Sequence, residues 1–210
     1  MEPFRDRGAA GEQLAAAVVE VVREPCVVLG IPRGGVIVAA PVARRLGAPL
    51  DVVVPKKLSA PGRPELGIGA VAPGVRVLDE RAIATLGVDP GYLEDEIARE
   101  EVEVERRTAA YRRLRPPLDL AGRTAVVVDD GIATGGTARA AIAWARAAGA
   151  NRVVLAIPVG PSGVVEDFRS VADEVVCLGA PAWFVAVGEW YVDFRQTTDE
   201  EVEAALAAGA

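Results

Sequence analysis

Hydrophobic positions along the 210-residue chain alternate between short continuous runs and stretches in which apolar residues recur at helical spacing. Unbroken Val, Ile and Leu runs mark strands buried on both faces, and spacing of three to four marks helices with one apolar face. Leu14, Val18, Val21 and Val22 predict a helix over Glu12–Arg23, closed by Pro25 ahead of a strand at Cys26–Leu29. After a Gly/Pro turn a helix is expected over Gly35–Leu46 and a second strand over Asp51–Val54. Residues 59–75 hold Pro61, Gly62, Pro64, Gly67, Gly69, Pro73 and Gly74, which predicts a long irregular loop with a short hairpin at Ile68–Val71 and Val75–Leu78. Long loops inside compact domains are commonly functional, so a lid is expected there.

Asp89 reads as an N-cap followed by Pro90, opening a charged helix that runs toward Arg113 and stops at Pro116 and Pro117. Its pairs Asp95 with Arg99 and Glu103 with Arg107 stand four apart in the favourable order, the pattern of a solvated face. A strand at Thr124–Asp129, a helix at Gly136–Ala148, a strand at Arg152–Pro158, a helix at Ser162–Ser170 and a strand at Glu174–Leu178 follow. This rhythm predicts an α/β fold, a mostly parallel twisted sheet with helices on both faces. The expected layout is a single domain over residues 1–210, with a core of about 11–178, a flexible loop of about 59–75 and a C-terminal hood of about 179–202. The Ala-rich end, Ala204–Ala210, is expected to fray.

Composition narrows the chemistry. With 51% hydrophobic residues interrupted by 22 Gly and 15 Pro, disorder and coiled coil are excluded. There is no histidine, which removes Ser/His/Asp triads, Cys/His pairs and His-ligated metals. A net charge of −7 disfavours a nucleic-acid partner. Cys26 and Cys177 each sit in an apolar run and read as small hydrophobes. The charged N-terminus lacks an apolar signal core, and no run approaches the ~18 apolar residues of a membrane span, so a cytoplasmic protein with no membrane partner is expected. Of 23 basic residues only the adjacent Lys56 and Lys57 are lysine, a place where a compact ammonium is preferred to a planar fork.

The most informative stretch runs from Val126 through Asp129, Asp130, Gly131 and Ile132 to Ala133-Thr134-Gly135-Gly136-Thr137. A buried strand ends in two acids, and small residues then lead into a helix N-terminus, where backbone N–H groups and hydroxyls suit a phosphate dianion. The acids cannot face that same phosphate and are expected to accept from hydroxyls or to face a divalent cation. A ribose 5-phosphate satisfies both ends. The turn is not a Walker A loop, which requires Gly-Lys-Ser/Thr.

This segment resembles the phosphoribosyl pyrophosphate signature of the type I phosphoribosyltransferases, with Ala133 similar to the adenine-specific branch. The resemblance implies that Asp129 and Asp130 are catalytic and hold the ribose hydroxyls, and that Ala133, Thr134, Gly135, Gly136 and Thr137 cradle the 5′-phosphate. It further implies a pyrophosphate loop within Gly30-Ile31-Pro32-Arg33-Gly34-Gly35, with Arg33 and Gly34 on the leaving group. Lys56 and Lys57 resemble the basic pair that enters the family's catalytic loop, Lys57 counted among the catalytic residues, with Arg63 arriving on closure. Mg²⁺ is the implied cofactor, held mainly through the ligand and by Asp129 and Asp130. The implied partners are phosphoribosyl pyrophosphate and a nitrogenous acceptor, with a homodimer compatible with the pattern. The acceptor pocket has no readable motif; Trp183, Phe184 and Trp190 of the hood are candidates for holding a flat base. The expected activity is displacement of pyrophosphate at C1 by a nucleobase. The alternative is a regulatory protein that keeps the sugar-phosphate site without turnover.

Overall fold

The computed structural model describes residues 1–113 and 116–208. Helix α1 (Arg7–Val21) begins earlier than apolar spacing predicts because the Asp6 carboxylate accepts from Ala9 N–H at 2.7 Å and caps it. Strand β1 (Cys26–Gly30) leads into α2 (Gly34–Leu46) and the short β2 (Leu50–Val52). Later come β6 (Thr124–Val128), α5 (Gly136–Ala147), β7 (Arg152–Val159), α6 (Ser162–Phe168) and β8 (Glu174–Gly179). Strands β1, β2, β6, β7 and β8 form a wholly parallel sheet in the order β2-β1-β6-β7-β8.

One face of this sheet is covered by α1, α2 and α7 (Asp199–Ala208), through Leu14, Val18, Val38, Val42 and Leu206; the other is covered by α5 and α6, through Ile142, Ala145 and Phe168. The connections from β1 and β6 therefore leave on opposite faces. Such a reversal opens a crevice at the carboxyl ends of the two strands, where open α/β sheets bind their ligands. Register makes the neighbours explicit: Gly30 lies opposite Val128.

Residues 59–75 depart from expectation. The expected hairpin of Ile68–Val71 with Val75–Leu78 is present, but in place of an irregular loop around it β3 (Lys56–Ala60), β4 (Arg63–Ala72) and β5 (Val75–Leu78) form a separate antiparallel sheet. The Pro-Gly pairs 61–62 and 73–74 are its two tight turns, with Gly62 at φ 66° and Gly74 at φ 70°, so residues that read as breakers only mark the reversals. This sheet packs on α5 through Ala70, Ala72 and Ala140.

Its other face is covered by α3 (Glu80–Leu86), which local periodicity does not predict, and α4 (Pro90–Arg112), through Leu58, Ile68, Ile97 and Val104. Asp89 caps α4 as predicted, accepting from Tyr92 N–H at 3.0 Å. The carboxyl end of the chain does not fray at 204–208: Val202 and Leu206 are buried against α2, and residues 209–210 lie outside the described residues. No helix among the described residues is long and apolar enough to cross a membrane.

Candidate active site

The β6 strand delivers Asp129 and Asp130 to the crevice, Asp129 buried and Asp130 partly so. Asp129 Oδ1 accepts from the Asp130 N–H at 2.9 Å, and Asp130 Oδ2 accepts from Arg7 Nε at 2.7 Å. The two carboxyl groups also hydrogen-bond to each other, so the pair acts as one acidic unit at the strand tip. Desolvation pushes both carboxyls above the ordinary carboxylate range. Repulsion from Asp130 pushes Asp129 further up, whereas Arg7 holds Asp130 back.

Beyond the acids the chain is drawn back to the sheet by Ile132 N–H, which donates to the Val159 carbonyl at 3.0 Å. Gly135 then occupies the N-cap position of α5 at φ 78°, a left-handed conformation that a Cβ would oppose. Space forbids a side chain as well, since an added Cβ would stand 2.5 Å from the Phe168 ring. No side chain caps α5, so its first-turn N–H groups face outward beside the exposed Ala133 and Thr134. The expected cradle of Ala133 to Thr137 is thus a small-residue turn on an uncapped helix N-terminus.

Across the crevice, Ile31 N–H donates to the Val128 carbonyl at 2.9 Å and pins the β1–α2 loop beside the acids. The Pro32–Arg33 peptide is cis, and α2 also starts without a side-chain cap. Gly34 lies so close that an added Cβ would meet Asp130 Oδ2 at 2.0 Å and Arg7 Nε at 2.6 Å. Gly34→Ala therefore displaces the Asp130 carboxylate; we expect sugar-phosphate affinity to fall by about tenfold or more, read by calorimetric titration. Arg33 itself reaches toward Asp199 at the start of α7, with 3.8 Å between Nη1 and Oδ1.

Strand parity separates the two lysines. Lys56 pairs with Glu100 of α4 at 3.4 Å. Lys57, on the opposite face of β3, lines a cavity of about 480 Å³ together with Gly69, Asp79, Thr134, Gly136 and Arg139. The antiparallel sheet thus brings one lysine of the pair to the cavity beside the Ala133–Thr137 turn and turns the other away. Arg63 stands exposed at the hairpin tip.

Of the three aromatic candidates, Trp183 is 93% exposed, while Phe184 and Trp190 stack on each other at 6.3 Å. The rings that do reach the acids are others: Tyr191 donates its hydroxyl to the Asp130 carbonyl at 2.5 Å, and Phe194 underlies Arg7. Burial raises the Tyr191 phenol, which keeps its proton. Sequence reasoning misses Arg7, Tyr191 and Arg139. Only Arg139 carries a local signal: a cation in the first turns of a helix opposes the helix dipole. It stacks on Phe168, 4.6 Å from its centroid, beside the cradle.

Comparison with known proteins agrees with this geometry. A family model described as "Phosphoribosyl transferase domain" matches residues 5–195. A Mycobacterium tuberculosis protein named "Putative phosphoribosyl transferase" is 50% identical over 207 residues, covering 98% of this chain and 47% of that protein. The chain thus spans about half the length of the curated relatives it matches. The crystal structure of TT1426 from Thermus thermophilus is 47% identical with a TM-score of 0.85, each chain covered in full, 100%. A hypothetical protein from Neisseria gonorrhoeae, 13% identical, shares the fold at a TM-score of 0.51 over 100% of this chain and 97% of its own. With an acid pair at the β6 tip, an uncapped small-residue cradle beside it and a family match across both, the chain belongs to the phosphoribosyl transferase domain family.

Proposed function

We propose that this chain transfers the phosphoribosyl group of phosphoribosyl pyrophosphate to a nitrogenous acceptor, a nucleobase, releasing pyrophosphate. One observation carries this reading: two adjacent carboxyl groups stand between an uncapped helix start on one side and a second uncapped helix start on the other. A pentose with a phosphate at one end and a pyrophosphate at the other matches that alternation of positive, negative and positive potential. The acids accept from the ribose hydroxyls, the Ala133–Thr137 turn holds the 5′-phosphate, and the Arg33–Gly34 loop faces the leaving group. As the C1–O bond breaks, its electron pair departs with pyrophosphate and positive charge develops on the ribose. Asp129 and Asp130 lie where that charge is stabilised, while the acceptor nitrogen bonds to C1 from the opposite face. The hairpin tip bearing Arg63 is the element available to exclude water, which would otherwise capture the sugar cation.

The donor set also fits Mg²⁺. Among the described residues no group of three or more acids or thiols could enclose a metal, and the two acids offer only hard oxygens. Mg²⁺ characteristically keeps water and binds through one or two carboxylates plus substrate phosphates, so Asp129 and Asp130 would assist the ligand's own oxygens in holding it. When bound, it would neutralise charge on the departing pyrophosphate.

Pyrophosphate release from phosphoribosyl pyrophosphate, measured against a panel of purines and pyrimidines with Mg²⁺, tests the reading. Release with at least one base is expected; no release together with no binding overturns it. Binding without release marks instead a regulatory protein that retains the site. The lysines give a sharper check. Lys57→Ala should weaken phosphoribosyl pyrophosphate binding by about tenfold, whereas Lys56→Ala, which removes a pair on the far face, should change it by less than about twofold. Equal losses in a titration would contradict the parity assignment.

A further inference from the structure

Arg7 belongs to none of the motifs, yet it is the side chain most tightly tied to the acid pair. Its Nε donates to Asp130 Oδ2 at 2.7 Å and its Nη1 to the Arg195 carbonyl at 2.8 Å. The guanidinium lies 3.9 Å from the Phe194 centroid and 6.0 Å from that of Tyr191. Both partners of the ion pair are largely shielded, with side-chain exposures of 12% for Arg7 and 17% for Asp130. The platform under Arg7 is itself fastened to the N-terminus: Phe4 N–H donates to the Trp190 carbonyl, Val192 N–H to that of Phe4, and Asp193 N–H to that of Arg5. Phe4 and Phe194 flank Tyr191, with centroids 5.5 and 5.1 Å away.

A carboxylate, a carbonyl and an aromatic face together fix the guanidinium plane, which is more than a surface ion pair requires. The same Asp130 oxygen that accepts from Arg7, together with Arg7 Nε, lies against Gly34, where even a methyl group has no room. The ion pair of Asp130 with a guanidinium fixed by segments near both chain ends is therefore packed directly against the loop expected to face pyrophosphate. Its backbone carbonyl is tethered as well, by Tyr191.

We propose that Arg7 is a positioning residue of the pentose site: it aims the Asp130 carboxylate at a ribose hydroxyl, and Tyr191 and Phe194 serve to hold Arg7 rather than to bind a base. The inference rests on the sugar-phosphate reading of the site given above. A carboxylate that accepts from a hydroxyl contributes fully only if its direction is set before the ligand arrives, and misplacement by about 1 Å can cost about a hundredfold. Lysine cannot substitute, because a point charge neither forks between Asp130 and the Arg195 carbonyl nor lies flat on Phe194. A plain staple between the chain ends would predict something else: its loss would lower stability and weaken every ligand alike.

The test is calorimetric titration of the full chain with two probes, ribose 5-phosphate and inorganic phosphate, the second of which needs only the anion cradle. For Arg7→Ala and Arg7→Lys we expect ribose 5-phosphate affinity to fall by about tenfold or more, with phosphate affinity changed by less than about twofold. Phe194→Leu should give a smaller loss of the same selectivity. Methylguanidinium should restore part of the ribose 5-phosphate affinity of Arg7→Ala. If Arg7→Ala fails to fold, Arg7→Lys and Phe194→Leu carry the comparison. Ribose 5-phosphate affinity unchanged in Arg7→Lys, or both probes weakened in parallel, overturns the role of Arg7. A wild-type chain that binds neither ribose 5-phosphate nor phosphoribosyl pyrophosphate overturns the reading of the site itself, a distinct result.

Discussion

Asp129→Asn should lower pyrophosphate release by about a hundredfold or more, the usual scale for removing one group that stabilises developing charge, and should at the same time raise Tm. The two effects share one cause. Asn keeps the shape and the oxygen that accepts from Asp130 N–H, but it carries no charge to stabilise a sugar cation and none to desolvate. In the wild type, burial and the neighbouring Asp130 raise the Asp129 carboxyl above its ordinary 3.8. Between that ordinary value and the raised one, the native state holds a proton that the unfolded chain has lost, so this group's contribution falls as pH rises through the window. Each kcal/mol recovered by the variant corresponds to about 2–4 °C in Tm for a chain of this size. Thermal scans at pH 5 and pH 7.5 check the sign: the gain from Asp129→Asn should be larger at the higher pH. Glu24 titrates oppositely, held at about 2 by its hydrogen bond from Arg152, so its contribution is present above the ordinary 4.5 and is lost as pH falls from there through about 2. An Asp129→Asn variant that keeps full activity would remove the acid pair from the mechanism.

Asp51→Ala should destabilise the chain by about 3–5 kcal/mol, the cost of stranding the other half of a buried ion pair. Asp51 is 1% exposed, at the middle of β2. Its Oδ1 accepts from Arg112 Nη1 and from Val52 N–H, and its Oδ2 from Leu118 N–H at 3.0 Å. Removing it leaves a shielded guanidinium and two backbone donors without their acceptor. Arg112 closes α4, so this carboxylate ties the helix that supports the antiparallel sheet to the edge of the parallel one. Urea denaturation should show a lower midpoint with an unchanged slope, the signature of lost stability rather than a changed native state. Asp51→Asn, which preserves acceptor capacity on one oxygen, should recover part of the loss. A loss of stability below about 1 kcal/mol in Asp51→Ala would show that Arg112 finds water or another partner at little cost.

Both predictions join groups whose legibility in the sequence differs. Asp129 is visible because its signal is local: a continuous apolar run, two acids and a small-residue turn lie within one unbroken segment. The parallel strands are visible for the same reason, with ends displaced by only a residue or two. Asp51 looks like any acid at the start of a strand, since its partners Arg112 and Leu118 lie 61 and 67 positions away. The stretch 59–75 yields only its second hairpin to local pattern, because Pro and Gly mark both loops and the tight turns of hairpins, and only pairing between strands distinguishes the two. Gly69, for instance, permits the close approach of β5, where a Cβ would stand 2.6 Å from the Val77 carbonyl. Arg7 is not legible because the rings it meets, Tyr191 and Phe194, and the carbonyl it donates to at Arg195, 188 positions away, come together only in the fold.

From the chain alone came the alternation of strands and helices, the acid pair and the small-residue turn after it, because hydrophobic period, capping and turn chemistry act over a few residues and are written in consecutive letters. Only the folded arrangement decided which lysine meets the cavity beside that turn, what holds Asp130 and where the hairpin stands. Those depend on strand parity, on register between β1 and β6, and on contacts between segments more than a hundred residues apart, which packing creates and local pattern does not encode.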